Sequence, residues 1–425
     1  MQKLDKTGKK NSYVKDIAEI SYALHNIDWS FTSKSVIYEG VGPFDCRKHH
    51  WFPATFIPEI PFTLIEILTR PYATVYDPFA GIGTTYFQAL LLNRRPIATE
   101  VCKVTVEFMK SLLVLFNPRL DFKSIQSKAK EIVNQFEPHT DYIEKISENP
   151  PMNILIDKLR PWYHKKTFNH LAYLFLAAHY CDDEPTKATI KISISAILKR
   201  VCSQDRGWGC VADNVLPKEH QIENGHKDTL SIFYGHVRRL LEDLSDHLAN
   251  VPQEYNQVYN DVLRQETIFH ADVRKSSPVP DNSVDLVVTS PSYPKMTDYV
   301  KSQRLSYYWL GVPVSSKNKD LIAEIGARNK RHRKDSLDRY LEVIKESNRT
   351  LSKKIKKGGY VCFVMPVFGR NDHERKRTIE KILLDLQELF GEQEEEFRRT
   401  IPAVRRSHNI KWATLEQERI LIFRK

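Results

Sequence analysis

Cysteine is scarce in this chain. Six residues in 425 are cysteine (Cys46, Cys102, Cys181, Cys202, Cys210 and Cys362), and no two form a C-x-x-C pair. That excludes a disulfide framework, argues against a structural zinc site and leads us to expect a reduced, intracellular setting. No apolar run approaches the roughly 18 residues that span a bilayer. The opening Met1-Gln2-Lys3-Leu4-Asp5-Lys6 lacks the apolar core of a signal peptide, and none is expected. Acidic residues are fewer than basic ones, 53 against 64, for a formal net charge of +11. This excess is silent about fold but favours an acidic partner, most simply nucleic acid. The apolar fraction of 41% and charged fraction of 28% are those of a soluble globular protein. A secreted mini-protein, a membrane protein, a collagen-like chain and a wholly disordered chain are excluded. At roughly 150 residues per domain, the length suggests two or three units.

The pattern along the chain divides it. Residues 1–48 are polar, with Lys9-Lys10-Asn11-Ser12, and predict a loosely held arm. Within 49–116 a short apolar run ends at Val75-Tyr76 and meets a glycine turn. A helical run from Thr84 to Leu92 and a second strand, Pro96 to Glu100, follow. Strand, turn, helix and strand in so short a span is a βαβ unit, hence a parallel sheet. Residues 117–260 carry apolar stripes at helical spacing, such as Leu230, Phe233, Val237, Leu240, Leu241, Leu244 and Leu248, and predict a helical insertion. From 261 to the end strands return at Thr267–His270, Val284–Thr289 and Tyr360–Val364. Thr400–Val404 and Ile420–Phe423 suggest an antiparallel pair at the sheet edge. The fold expected is α/β, a Rossmann-like, mostly parallel sheet interrupted by helices.

The turn Asp77-Pro78-Phe79-Ala80-Gly81-Ile82-Gly83-Thr84-Thr85 lies at the carboxyl end of the first strand, where open α/β sheets bind ligands. A dinucleotide fingerprint needs a small residue at position 86, which is Tyr86, and a Walker loop needs Gly-Lys-Ser/Thr, which is absent. A purely structural turn is the plain alternative. Asp77 and Glu100 end successive strands, and a carboxylate there suits a ribose diol, whose hydroxyls both donate to it. A second motif, Thr289-Ser290-Pro291-Ser292-Tyr293, follows another apolar strand and would face the same crevice.

Together these motifs resemble the amino-directed DNA methyltransferases that use S-adenosylmethionine. Asp77 to Thr84 match that family's D-P-F-x-G-x-G-T without departure. Ser290-Pro291-Ser292-Tyr293 is similar to its S-P-P-Y catalytic motif, with Ser292 replacing the second proline. Trp51 to Pro58 look like its cofactor segment, and Asp272 like the acidic residue that meets the cofactor adenine. Asp298-Tyr299, Arg304-Leu305 and Trp309-Leu310-Gly311 look like its continuation, Arg406-Ser407-His408-Asn409 and Glu418-Arg419 like its carboxyl-terminal signature. The resemblance covers about 49–110 and 265–425. It implies a methyltransferase sheet and S-adenosylmethionine as cofactor, held by Phe52, Pro53, Ala54, Thr55, Asp77, Phe79, Ala80, Gly81, Gly83, Thr84, Glu100 and Asp272. Asp77, Gly81, Gly83 and Glu100 are expected to line one pocket with Phe52 to Thr55.

The implied chemistry is methyl transfer to an exocyclic amino group, most simply cytosine N4. The Ser290 hydroxyl and the Pro291 carbonyl would accept the amino hydrogens, and Tyr293 would hold the flipped base. No metal is called for: His49-His50 has no carboxylate or thiol at ligand spacing. The insertion is expected to recognise the target, with Arg206 and Trp208 on a glycine-flanked loop as DNA contacts. Arg328, Lys330, Arg331, Arg333 and Lys334 form a basic run placed to meet phosphate. Lys353 to Lys357 suits a helix carboxyl terminus instead. The partner implied is double-stranded DNA, with room for a separately encoded restriction endonuclease, in the cytoplasm of a prokaryotic cell. Adenine-N6 methylation, methylation of an RNA base, and a non-catalytic nucleic-acid-binding protein on the same fold are the alternatives.

Overall fold

The structure is a computed structural model, and it describes residues 17–31, 40–148, 153–204, 215–275, 278–327, 335–369, 372–402 and 415–425. Among the described residues seven strands form one sheet: β1 (Thr74–Asp77), β2 (Arg95–Glu100), β3 (Ile268–His270), β4 (Val284–Thr289), β5 (Ile355–Val367), β6 (Gln393–Thr400) and β7 (Gln417–Arg424). Their order is β3-β2-β1-β4-β5-β7-β6. The first five are parallel, while β7 runs antiparallel to β5 and β6 antiparallel to β7. This is the mostly parallel α/β sheet with an antiparallel edge that the sequence predicts.

The strand order places the site. The chain steps outward from β1 to β2 to β3, then returns across β1 to lay down β4. The carboxyl ends of β1 and β4 therefore sit at a topological switch point, where connections diverge and leave a crevice. Two side chains clamp that junction. Thr289 Oγ1 donates to Asp77 Oδ1 at 2.7 Å, and Thr85 Oγ1 donates to the Val288 carbonyl at 3.1 Å.

The helix α1 (Ile17–His25) lies at the β6 edge, whereas α2 (Glu59–Leu68), α3 (Thr84–Leu91) and α4 (Lys103–Leu115) pack on the first half of the sheet. Between α4 and β3 every regular element of the described chain is a helix. Its own core gathers Phe168, Leu171, Phe175, Ile194, Ile197 and Phe233. Ala188, Ile192, Leu240, Leu244 and Leu248 of the same segment join the core on one face of the sheet instead, so the helical segment is packed on the sheet through continuous apolar contact. The other face is covered by Ser336–Lys354 and His373–Phe390, through Ile344, Leu351, Ile379, Ile382 and Leu386.

Two expectations are corrected. The penultimate strand is Gln393–Thr400, which ends where the expected run Thr400–Val404 begins; with β7 it forms the antiparallel pair at the sheet edge. The sequence Gln-Glu-Glu-Glu-Phe-Arg-Arg-Thr of β6 has too little apolar content to signal a strand. It is an edge strand, and charged side chains suit an edge that must not pair with another chain. The amino-terminal arm, where described, is packed rather than loose. Leu24, Trp29 and Phe44 are buried in the core. Trp29 stacks on Phe397 of β6 with ring centroids 5.3 Å apart, and Ser21 Oγ donates to Glu395 Oε1 at 2.6 Å. The arm thus covers part of the exposed edge. Lys9 to Ser12 lie outside the described residues. Among the described residues no helix is long and apolar enough to cross a membrane.

Candidate active site

A cleft of about 790 Å³ opens at the carboxyl ends of β1, β2 and β4. Ten residues singled out from the sequence line it: Phe52, Ala54, Thr55, Phe79, Ala80, Gly81, Thr84, Glu100, Asp272 and Ser290. They come from five separate stretches of chain, so the fold assembles what the sequence scatters.

The glycine turn is shaped by its two positive-φ positions. Gly81 has φ of +54° and its N–H donates to Glu100 Oε2 at 2.7 Å, while Cys102 N–H donates to Oε1 at 2.8 Å. The Glu100 carboxylate thus ties the end of β2 to the turn after β1. A Cβ at Gly81 would stand 3.3 Å from the Phe52 ring, which stacks on Tyr299 with centroids 5.3 Å apart. Phe52 and Tyr299 make an aromatic wall that Gly81 must approach closely. Gly83 differs from the expectation. It does not line the cleft; with φ of +83° it backs onto α4, and a Cβ there would stand 2.8 Å from Met109 Sδ. Its smallness serves helix packing, not the ligand.

Asp77 is also displaced from its expected position on the wall. It is 1% exposed and accepts from Thr289 Oγ1 and from Phe79 N–H, so it holds the two strand ends together behind the cleft. Pro53 does not line the cleft. Asp272 does, and its carboxylate is gripped by Arg274, whose Nε donates to Oδ1 at 2.7 Å and whose other guanidinium nitrogen meets Oδ2.

On the catalytic-motif side, Ser290 and Ser292 reach the cleft, whereas Pro291 and Tyr293 are buried and do not line it. Ser290 Oγ has two acceptors, Tyr293 Oη at 3.4 Å and the Val364 carbonyl at 3.3 Å. Both are longer than the usual 2.7–2.8 Å of an O–H···O bond, so the hydroxyl is loosely held. Tyr293 donates to Glu418 Oε1 at 2.7 Å. The Ser292 side chain, in the place of the second proline, hydrogen-bonds Tyr299, and its carbonyl accepts from Tyr340 at 2.9 Å.

Reading motifs alone missed Glu324 and gave Tyr299 no role. Glu324 Oε1 accepts the N–H groups of Tyr299 and Val300, which anchors the start of the helix that carries the aromatic wall. Nothing around Glu324 in the sequence marks it. Tyr299 stood in a quoted motif, and its aromatic type beside Asp298 was the available signal.

Burial governs the electrostatics. Loss of solvent raises Glu100 to about 7 and Asp77 to about 6, against the opposing pull of their hydrogen bonds. Because both folded values exceed the unfolded ones, the fold favours the neutral acids. Their contribution to stability is fully present below the ordinary carboxylate range and is lost as pH rises through about 7. Replacing Glu100 by glutamine removes its share. The thermal midpoint of Glu100→Gln, measured relative to wild type without ligand, should therefore improve between about pH 5 and about pH 8. A pH-independent difference would show that Glu100 is not so perturbed.

A second, more open depression adjoins the cleft and shares Glu324 and Ile325 with it. It holds about 1720 Å³ and is lined by Arg274, Lys295, Lys301, Arg304 and Arg339. Arg274 is engaged by Asp272, Arg339 by Asp335, and Lys295 lies 4.0 Å from an exposed Glu374 carboxylate. Lys301 has no ion-pair partner among the described residues. The groove is thus basic and lies against the loop that carries Ser290.

Arg206, Trp208, Arg328, Lys330, Arg331, Arg333 and Lys334 lie outside the described residues, as do Arg406 to Asn409. Lys354 and Lys356 pair with Asp281 and Asp285 at the amino-terminal end of β4, away from the cleft. His49 Nε2 is 2.8 Å from Asp243 Oδ2, and His50 Nε2 is 3.1 Å from Gln303 Oε1; both rings are buried.

Residues 2–111 match the model of a DNA methylase family. The type II methyltransferase M.BsoBI of Geobacillus stearothermophilus is 23% identical over 284 residues, which cover 62% of this chain and 53% of that protein. The chain thus spans about half the length of this curated relative. Among solved structures, the rRNA methyltransferase aviRa from Streptomyces viridochromogenes aligns over 92% of this chain and 96% of its own, at a TM-score of 0.32 and 11% identity. That likeness is too slight to bear on function. The matched segment holds the glycine turn, α3, β2 and the Phe52 segment, the parts that build one side of the cleft. That match, the curated relative and the motifs at the paired strand ends make this part of the chain similar to the N6/N4 DNA methylase family.

Proposed function

We propose that this protein transfers a methyl group from S-adenosylmethionine to an exocyclic amino group of a DNA base, cytosine N4 in the first instance. One observation carries the reading: the glycine turn and the Ser290 loop, far apart in sequence, face one cleft at the β1/β4 switch point. The family match and the relationship to a type II methyltransferase support it.

The residues present suit the cofactor. Glu100 offers a carboxylate to a diol, Asp272 a second acid, and Phe52 with Tyr299 an aromatic face beside the close approach at Gly81. When bound, the cofactor supplies an electrophilic methyl group on a sulfonium. The chain does the rest by placement. An exocyclic amino nitrogen is a poor nucleophile because its lone pair is delocalised into the ring. Ser290 Oγ and the Pro291 carbonyl would accept the amino hydrogens and favour a pyramidal nitrogen. Holding that nitrogen in line with the methyl group is most of the catalysis. The base must leave the duplex to reach Ser290. Tyr293 is buried beside Glu418 and does not line the cleft, so it holds the loop behind Ser290 rather than presenting its ring to the base.

Glu100 is expected to gain hydrogen bonds from the ligand in its ionised form. Affinity for S-adenosylmethionine should therefore rise between about pH 6 and about pH 8 as Glu100 loses its proton, and Glu100→Gln should abolish that rise. Titration by calorimetry at the two pH values checks it.

The basic groove is where the duplex would lie, with recognition by the helical segment 117–260, which packs on the helix Arg304–Trp309 beside that groove. Lys301→Glu should weaken binding to duplexes of any sequence. It should also lower the slope of log affinity against log salt by about one or slightly more, the share of one phosphate contact and its reversal. An unchanged slope would remove Lys301 from the interface.

Labelled methyl transfer tests the function directly. Label should pass from S-adenosylmethionine to duplex DNA and not to tRNA. Label on tRNA alone would make this an RNA enzyme, and label on adenine alone would replace the cytosine assignment while leaving the mechanism standing.

A further inference from the structure

A buried polar chain runs from the sheet edge to the catalytic loop. Arg399 on β6 and Glu418 on β7 stand directly opposite each other in the strand register and form an ion pair at 2.8 Å, with 3% and 7% of their surfaces exposed. Arg399 takes Glu418 Oε2, and the Tyr293 hydroxyl takes Oε1 at 2.7 Å. Ser290 Oγ follows, 3.4 Å from Tyr293 Oη and 3.3 Å from the Val364 carbonyl. Ser290 lines the cleft, while the other three side chains do not.

We infer that Glu418 is a positioning residue for Ser290, acting through Tyr293 to turn the serine's oxygen rather than its hydrogen toward the cleft. The inference rests on the methyl-transfer reading above. A carboxylate facing a guanidinium has no hydrogen to give, so the Tyr293 hydroxyl must donate to it. A phenol has one hydrogen. With it spent on Glu418, Tyr293 can only accept from Ser290. Val364 O can only accept as well. Every inward partner of Ser290 is therefore an acceptor, which draws the serine hydrogen inward and leaves its lone pairs for the amino group of a base. Burial and the neighbouring Glu418 charge push the Tyr293 hydroxyl well above the usual phenol range, so the chain keeps its direction throughout the working pH range. A buried ion pair adds little net stability over apolar side chains of the same size. Its contribution here is the direction that it imposes.

The test is a double-variant comparison on the full chain, with methyl transfer to duplex DNA, S-adenosylmethionine affinity and thermal midpoint measured for each protein. In Glu418→Gln the amide can donate to Tyr293, whose hydroxyl then donates to Ser290 and occupies a serine lone pair that the unaltered chain leaves for the amino group, while the serine hydrogen passes to Val364 O. Turnover should fall about tenfold, because the hydrogen bond at the reacting centre is weakened rather than removed, with KM and cofactor affinity within about twofold of wild type, since neither depends on that bond. Tyr293→Phe leaves Val364 O to receive the serine hydrogen and should cost less turnover. The combined variant should match Tyr293→Phe alone, because no hydroxyl remains to transmit the reversal. Losses that multiply would mean that Glu418 supports the fold only, and would overturn the inference, as would wild-type turnover in Glu418→Gln. If Glu418→Gln does not fold, Arg399→Met combined with Glu418→Gln removes both buried charges and permits the same comparison. No transfer by the unaltered chain would overturn the functional reading and this inference with it.

Discussion

Replacing Ser290 with alanine should lower turnover by about 10²–10³ and leave S-adenosylmethionine affinity nearly unchanged. The magnitude is that of one missing hydrogen-bond acceptor or donor at the reacting centre. The separation of the two effects follows from position. Ser290 borders the cleft at the end of β4, whereas the residues that would grip the cofactor, Gly81, Glu100 and Phe52, sit at the ends of β1 and β2 and in the segment before them. Among the described residues the Ser290 side chain has two long hydrogen-bond contacts, so its loss should cost little stability. Turnover and KM from steady-state kinetics, with calorimetric cofactor binding, decide the matter. Near wild-type turnover would remove Ser290 from the chemistry.

The two glycines of the turn should fail in different ways. Gly81→Val should reduce cofactor affinity by at least about a hundredfold. A Cβ at that position presses on Phe52, and Phe52 together with Tyr299 forms the aromatic wall. A side chain at φ of +54° adds strain, of order 1–3 kcal/mol. Gly83→Val should instead act first on the fold. Its Cβ would collide with Met109 and Phe87 in the packing between α3 and α4, and overpacking of this kind typically costs about 1–3 kcal/mol before strain is counted. Thermal unfolding should thus show the larger drop for Gly83→Val, and ligand titration the larger loss relative to stability for Gly81→Val. Both glycines belong to the same motif, and only the tertiary structure tells them apart.

That contrast shows what the sequence could and could not reveal. The βαβ unit and β4 were legible because each is a short apolar run closed by polar or glycine residues, and the parallel sheet follows from their order. The cleft was legible in outline, since both motifs fall at strand carboxyl ends. The finer division of labour was not. Asp77 and Gly83 carry motif identity yet work behind the wall, because motif spacing fixes a turn and not the direction in which each side chain points. Glu324 acts from a stretch with no pattern, through backbone N–H groups that are near only in the folded chain. Tyr293 was readable as an aromatic but not as a partner of Glu418, which lies 125 positions away. The edge strand β6 escaped because an edge selects for charge, the opposite of the apolar signal by which buried strands are found.

The central claim is methyl transfer by this cleft to a base amino group in DNA, and one measurement meets it most directly. Genomic DNA from cells expressing the chain, and from cells expressing Ser290→Ala, should be digested to nucleosides and analysed by mass spectrometry in a host that makes no such modification itself. The account predicts N4-methylcytosine with the unaltered chain and a level reduced to near background with Ser290→Ala. No methylated nucleoside from the unaltered chain, or equal amounts from both, would contradict it.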